Sequence, residues 1–387
     1  MDSEPKWLEI KNNRFALRKL LLNETYHLYE TSIPKTELTE EKEPYIRAKL
    51  AIIAKQIVDC SNTVLVDEYT KDERAKDWLS LEKKIVIDLA SGDVIPIDTR
   101  TRPGHKILDH FMPHFYDVKN YKGVSVRSLF SQASLEKALM QNIQMHSTPY
   151  VSEIRRMIVM TGGLGNVSKY RTVTSKAIVQ FFRAKRVLDP CCGWGGRMLG
   201  TLAASKDTVY VACEPDPNTF KGLKGILEDT ALPLTVRSRA TILEKPAELG
   251  LIDIGAMEKF DLVLTSPPYF NLELYTAGDQ STLAYKTWED WTEKWLKPVI
   301  LGCLASLKEG GVSCWSVKDF KSDKKYPLAE VTKKIHKDAG WTLIKTVTMT
   351  GSGRPGGKRI EKGKETRESE EETFCFKKLA DSALSTA

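Results

Sequence analysis

The chain is poor in the residues that staple or metallate a fold. Its seven cysteines are odd in number and no two stand in a CxxC pair, which argues against a disulfide framework and against a zinc ribbon. The six histidines are scattered, and His105, His110 and His114 lack a carboxylate or cysteine at metal-ligand spacing, so no metal is expected. No apolar run reaches the ~18 residues of a membrane span. The opening stretch, MDSEPKWLEIKNNRF, is too polar and too mixed in charge for a signal peptide. These absences predict a soluble protein of a reducing, intracellular compartment, cytoplasm or nucleus, that meets no membrane. The first 150 residues also lack net charge, with 22 Lys/Arg against 22 Asp/Glu.

The net charge of +7 therefore arises within residues 151–387. Lys318–Lys337 holds seven lysines against three acids, and Gly351–Arg367 holds six basic residues against two acids. Such runs are either solvated loops or a rim that faces phosphates, and composition does not choose between them. A length of 387 residues suggests two domains. Apolar residues at three- and four-residue spacing predict helices over Lys6 to Tyr29, Glu41 to Cys60 and Ser134 to Met145. KKIVIDLASGDVIPI, Lys83–Ile97, reads as a hairpin turning at Ser91-Gly92-Asp93. From about Lys185 short apolar strands alternate with helices: RVLDP (186–190), VYVACEP (209–215), DLVLTSPP (261–268) and GVSCWSV (311–317). Continuous β-branched runs of this kind suit strands buried on both faces of a parallel sheet. Residues 341–350 and 372–378 follow without a helix between them and predict an antiparallel hairpin at the sheet edge. The expected fold is α/β, a mostly parallel Rossmann-like sheet with an antiparallel terminal hairpin. A mainly helical N-terminal domain, 1–145, precedes the sheet domain, 146–380.

Three motifs carry chemistry. VLDPCCGWGGR, Val187 to Arg197, places Asp189 at a strand end, then a glycine-rich turn, then a helix. Gly193, Gly195 and Gly196 let the backbone pass close to a ligand that faces the helix N-terminus. The spacing is GxGG rather than GxGxxG, which lowers a dinucleotide reading. CEPDP then puts Glu214 at the end of the next strand, 21 residues after Gly193. A carboxylate there can accept both ribose hydroxyls of an adenosine, whereas the plainer role is a helix N-cap. In DLVLTSPPYF, Ser266-Pro267-Pro268-Tyr269 ends a buried strand. Two prolines cannot continue it, so the chain must leave the sheet there. The Ser266 side chain and the Pro267 carbonyl are acceptors for the N–H bonds of an exocyclic amine, and Tyr269 can stack on a flipped base. The plainer role is a proline turn over a buried tyrosine.

DPCCGWGG, CEPD and SPPY together resemble the S-adenosylmethionine-dependent amino-methyltransferases of DNA and RNA, over about Tyr150 to Lys378. In that resemblance SPPY is the catalytic tetrapeptide. Asp189, Cys191, Gly193, Gly195, Glu214 and Pro215 form the cofactor site, joined by Arg171 from the segment where the family places its methionine-binding element. Phe270, Tyr275, Arg354, Lys358 and Arg359 are the candidate substrate contacts. The serine form of the tetrapeptide is commoner among cytosine-N4 enzymes and the Asp or Asn form among adenine-N6 enzymes, so both bases stay open. Only about seventy residues separate the two motifs, which leaves no room between them for a target-recognition domain. The stretch SPPYFNLELY…QSTLAYKTWEDW also resembles proteins of large DNA viruses and phages. The implied partner is nucleic acid, DNA ahead of RNA. An RNA enzyme of tRNA, rRNA or mRNA cap, and a protein-glutamine methyltransferase, share the motifs. Pro190-Cys191 resembles the nucleophile dipeptide of cytosine-C5 enzymes but sits in the cofactor loop. Trp288, Trp291 and Trp295 have helical spacing that sets them against the sheet rather than on bases.

Overall fold

The computed structural model describes residues 42–59, 66–84, 94–97, 102–145, 151–162, 164, 168–275, 280–351, 359–361, 364–366 and 372–378. Its main sheet has eight strands: β1 (Val94–Ile97), β2 (Arg186–Asp189), β3 (Val209–Cys213), β4 (Ala240–Leu243), β5 (Phe260–Thr265), β6 (Leu307–Val317), β7 (Thr342–Gly351) and β8 (Glu372–Lys377). Their spatial order is β1-β7-β8-β6-β5-β2-β3-β4. Only β8 runs against the others, pairing antiparallel with both β7 and β6. The fold is thus α/β, a Rossmann-like and mostly parallel sheet, as the sequence predicts.

The helices used below are α1 (Lys42–Asp59), α2 (Lys71–Lys83), α3 (His105–Phe111), α4 (Gln132–Gln144), α5 (Val151–Thr161), α6 (Thr172–Phe181), α7 (Gly196–Leu202), α8 (Pro217–Glu228), α9 (Ala247–Gly255), α10 (Lys297–Ser306) and α11 (Leu328–Asp338). Helix α8 starts where the sequence dictates: Asp216 accepts the Thr219 N–H at 2.8 Å and Pro217 takes the first turn. No helix is long and apolar enough to cross a membrane, among the described residues.

The predicted terminal hairpin is present but does not form the sheet edge. β1 adds outside it, parallel to β7, with Val94 opposite Thr348 and Pro96 opposite Thr350. An edge strand tolerates Pro96, which has no N–H to give a second neighbour. The arm Val94–Ile97 therefore belongs to the sheet, and residues 85–93, with the predicted turn, lie outside the described residues. β4 was not expected: its half-buried ATIL lacks the apolar run that marks β2, β3 and β5.

The chain divides into two units, and not at residue 145. One comprises 1–68 and 113–168, the other 69–112 and 169–387. The first unit's described structure is mainly helical. Ile46, Leu50, Ile53 and Ile57 form one face of α1 at helical spacing, and they share a core with Leu135 and Leu139 of α4 and Met157 of α5. The expected helix over Lys6–Tyr29 lies outside the described residues. Segment 69–112 joins the sheet unit through buried polar anchors. Arg74 holds Asp229 with two nitrogens, at 2.7 and 3.2 Å. Lys169 pairs with Asp109 at 2.6 Å, and Lys176 of α6 donates to the carbonyls of Leu81, Glu82 and Lys84 at the end of α2.

Candidate active site

The chain runs outward from β2 to β3 and β4, then returns to the other side of β2 to make β5. Ligands of open α/β sheets bind outside the carboxyl ends of the strands at such a reversal. Both predicted turns, after β2 and after β5, leave the sheet at that point.

Asp189 ends β2 with no exposed surface. Its Oδ1 accepts the Cys191 N–H at 3.2 Å and the Thr265 hydroxyl at 2.7 Å. Its Oδ2 accepts Arg197 Nε and the Tyr210 hydroxyl, each at 2.7 Å. With both oxygens engaged, Asp189 organises the turn from within. Arg197 opens α7 and also donates to the carbonyls of Cys191 and Cys192, over the ring of Tyr170. Burial opposes its charge, but Asp189 together with Tyr210 and Tyr170 outweighs this and holds the guanidinium above its ordinary pKa. Burial and the Asp189 charge push the Cys191 thiol up as well, so it is no thiolate nucleophile.

The three glycines of the turn do different work. A side chain on Gly195 would meet Leu223 at 2.9 Å, and one on Gly196 would meet the Tyr170 carbonyl at 2.3 Å, so both serve packing. Gly193, at φ +55°, has nothing nearer than the Cys191 carbonyl at 3.9 Å. Its left-handed conformation and open face leave the backbone accessible there. Glu214 sits across from it: Oε2 accepts the Gly193 N–H at 2.9 Å and Oε1 accepts the Asp216 N–H at 3.0 Å. Burial raises its pKa to about 7 against those two bonds. The N-cap role belongs to Asp216, and Glu214 keeps a spare lone pair on each oxygen.

Five buried side-chain nitrogens among the described residues have no hydrogen-bond partner, and Arg171 Nη1 and His105 Nε2 are two of them. Burial, then Arg102, lowers the Arg171 pKa to about 10, and burial takes His105 to about 3. Arg171 precedes α6, whose N-terminus has no side-chain cap. Unpaired donors at a helix N-terminus fit an anionic group.

After β5, Ser266 is half-buried and Tyr269 is buried. Thr265, through its bond to Asp189, ties this turn to the glycine turn after β2. No backbone N–H takes the Pro267 carbonyl, among the described residues. The Tyr269 hydroxyl accepts the Lys318 N–H at 3.1 Å, and its ring lies 5.4 Å from that of Phe320. Phe270, at φ 32°, is only 5% exposed and packs on Trp288, Trp291 and Tyr326. It supports the turn from below, and the three tryptophans stack in the core as expected. Tyr275 lies beside the glycine turn: its ring is 6.1 Å from Trp194, and burial, Glu273 and Glu214 raise its pKa. Arg354 and Lys358 lie outside the described residues, and Arg359 is known only as the start of a short strand, Arg359–Glu361.

Sequence reasoning missed Thr265, Tyr210 and His105, and it quoted Arg197 without giving it a role. Arg197 had a signal, since an arginine eight residues beyond a buried strand-end aspartate can reach back across the glycine turn. His105 had none.

The sheet order and the paired turns define a Rossmann-like methyltransferase unit. Within it, residues 260–383, from β5 through β8, match the N6_N4_Mtase family, described as DNA methylase. That stretch is similar to amino-methyltransferases, whose cofactor is S-adenosylmethionine. No curated protein matches the chain. Among solved structures the chain is similar to TrmN from Thermus thermophilus, with 16% identity, a TM-score of 0.37, and 55% of this chain and 50% of that one covered. It is also similar to NSun6 from Pyrococcus horikoshii with SFG, at 15% identity and a TM-score of 0.37, covering 54% and 51%. An S-adenosylmethionine-dependent O-methyltransferase from Thermotoga maritima gives 14% identity and a TM-score of 0.35, covering 57% and 70%. The chain spans about half the length of TrmN. At these scores the likenesses add nothing to the strand order.

Proposed function

We propose that this chain moves a methyl group from S-adenosylmethionine to an exocyclic amine of a DNA base, N4 of cytosine or N6 of adenine. One observation carries the reading: an SPPY turn inside the DNA methylase match is hydrogen-bonded, through Thr265 and Asp189, to a glycine turn facing a buried glutamate.

Glu214 would hold the ribose hydroxyls with its spare lone pairs, and Gly193 would give the adenosine its close approach. Cys191 and Pro215 flank that contact. Arg171 would pair with the amino-acid carboxylate. The bound cofactor supplies an electrophilic methyl group on a sulfonium. An aromatic amine is a poor nucleophile, because its lone pair is delocalised into the ring. The Ser266 hydroxyl and the Pro267 carbonyl would each accept one amine N–H and draw the nitrogen toward tetrahedral geometry. Pro268 stiffens the turn, and Tyr269 would stack on the flipped base. Held this way, the amine would accept the methyl group directly and would give up its proton to solvent. Positioning and acceptor hydrogen bonds carry the catalysis, with no covalent intermediate on the protein. Arg354, Lys358 and Arg359 enter as phosphate contacts on charge alone.

The test is nucleoside mass spectrometry after incubation with labelled cofactor and DNA or RNA. Label on the amino group of a DNA base is expected, and Ser266→Ala should strongly reduce it. Label confined to RNA, or to protein glutamine, would overturn the reading.

A further inference from the structure

The basic stretch after β6 is not uniform. On the helices around it, four lysines are paired with acids a turn away, Lys294 with Asp290, Lys297 with Glu293, Lys333 with Glu330 and Lys334 with Asp338, while the exposed Lys337 has no ion pair among the described residues. Between them, Phe320–Lys321 and Lys325–Tyr326 form a small antiparallel hairpin. Lys321, Lys324 and Lys325 are exposed on it and make no ion pair among the described residues. Two acids, Asp319 and Asp323, flank or lie within the hairpin, and each is held by neutral donors rather than by a lysine. Asp319 accepts the Ala329 N–H at 3.1 Å at the start of α11. Asp323 accepts Asn271 Nδ2 at 2.8 Å and the Tyr326 hydroxyl at 2.9 Å.

The other face of the hairpin is seated on the catalytic turn. Phe320 lies against Tyr269 and Tyr326 against Phe270, each pair at 5.4 Å between ring centres. The Ser322 hydroxyl donates to Asn271 Oδ1 at 2.6 Å, and Asn271 is two residues past Tyr269. One layer of side chains thus separates three unneutralised lysines from the SPPY turn.

We propose that this hairpin is a clamp for the phosphodiester backbone of DNA, placed so that strand contact and base presentation occur on one rigid element. The proposal rests on the DNA reading above. A flipped base must be held by its backbone on either side of the extruded nucleotide, and lysines already paired with acids gain little from a phosphate. The unneutralised ones release counterions on binding and gain the most.

The test compares two triple variants that lose the same number of lysines. Lys321→Ala/Lys324→Ala/Lys325→Ala should weaken duplex DNA binding at least tenfold at low salt and flatten the salt dependence by up to ~2.7 in slope, at about 0.9 per phosphate contact. Calorimetric affinity for S-adenosylmethionine should not move. Lys294→Ala/Lys297→Ala/Lys334→Ala should bind DNA within about twofold of wild type, the modest effect expected of rim charge. The proposal is overturned if the hairpin variant binds like wild type while wild type still methylates DNA. It is equally overturned if the control variant loses as much affinity. A wild-type chain that neither binds nor methylates DNA removes the functional reading itself.

Discussion

The turns after β2 and after β5 lie side by side and are held by opposite means. The cofactor turn is wired by buried charge, with Asp189, Arg197 and Glu214 each satisfied by named polar partners. The catalytic turn is held by rings, with Tyr269 on Phe320 and Phe270 among Trp288, Trp291 and Tyr326. A charged network fixes geometry through directional polar bonds, while a ring bed fixes it through shape and volume. The first turn should therefore answer to charge and pH, and the second to packing and volume. Thr265 is the joint between them.

The largest effect should come from breaking the charged network. Arg197→Met leaves Asp189 as a buried carboxylate without its cation, and removal of one partner from such a pair costs ~3–5 kcal/mol. Denaturant unfolding of Arg197→Met and of the double variant Asp189→Asn/Arg197→Met measures it. The double variant should be more stable than the single one, because it no longer strands a charge. Equal stability of the two would show that the pair is not what holds the turn.

Glu214 comes next, with a pH signature that the ring bed cannot share. Between about 4.5 and about 7 the folded chain keeps a proton on Glu214 that the unfolded chain has released. The stability contributed there is complete below the lower value and is lost as pH rises through the upper one. Cofactor affinity should run the other way. The ionised carboxylate accepts both hydroxyls, so binding tightens as pH rises through about 7. Glu214→Ala should lose ~1.5–3 kcal/mol of affinity, the range for charged hydrogen bonds, and should flatten that pH profile. Calorimetry across pH 5.5 to 8.5 measures both, and an unchanged profile in the variant would move the ribose contact elsewhere.

Arg171 sharpens the comparison from the ligand's side. Its Nη1 is buried and unpartnered, so Arg171→Met should cost no stability, or even gain some, while cofactor affinity falls by ~1.5–3 kcal/mol. A variant that melts earlier yet binds normally would make Arg171 structural.

Much of this was legible in the sequence, unevenly. β2, β3, β5 and β6 declare themselves because strands covered on both faces are apolar throughout. β4 is half-buried and shows no such run. β1 is four residues long, and its partner β7 lies some 250 residues away, so nothing local could announce the pairing. Asp189, Glu214 and SPPY were found from their places at strand ends. What the spacing could not convey was direction. Gly193 and Gly195 look alike in sequence, yet one faces open space and the other a packed leucine. Likewise Phe270, next to the catalytic tetrapeptide, points into the core. Whether a residue near a site faces the ligand or holds up the floor is decided by tertiary neighbours.

The smallest effect tests the ring bed itself. Tyr269→Phe keeps the ring against Phe320 and removes only the hydroxyl that accepts the Lys318 N–H. Lys318 is half-buried, so water can replace part of that bond, and stability should fall by only ~0.5–1.5 kcal/mol. If Tyr269 works by stacking, turnover should stay within a few-fold of wild type, whereas Tyr269→Ala should abolish methyl transfer and leave cofactor binding intact. Single-turnover rates with labelled cofactor, beside denaturant midpoints for both variants, separate the two contributions. A Tyr269→Phe enzyme as inactive as Tyr269→Ala would mean that the hydroxyl, through Lys318 and the hairpin it begins, sets the turn. The catalytic side would then be wired by a polar bond much as the cofactor side is.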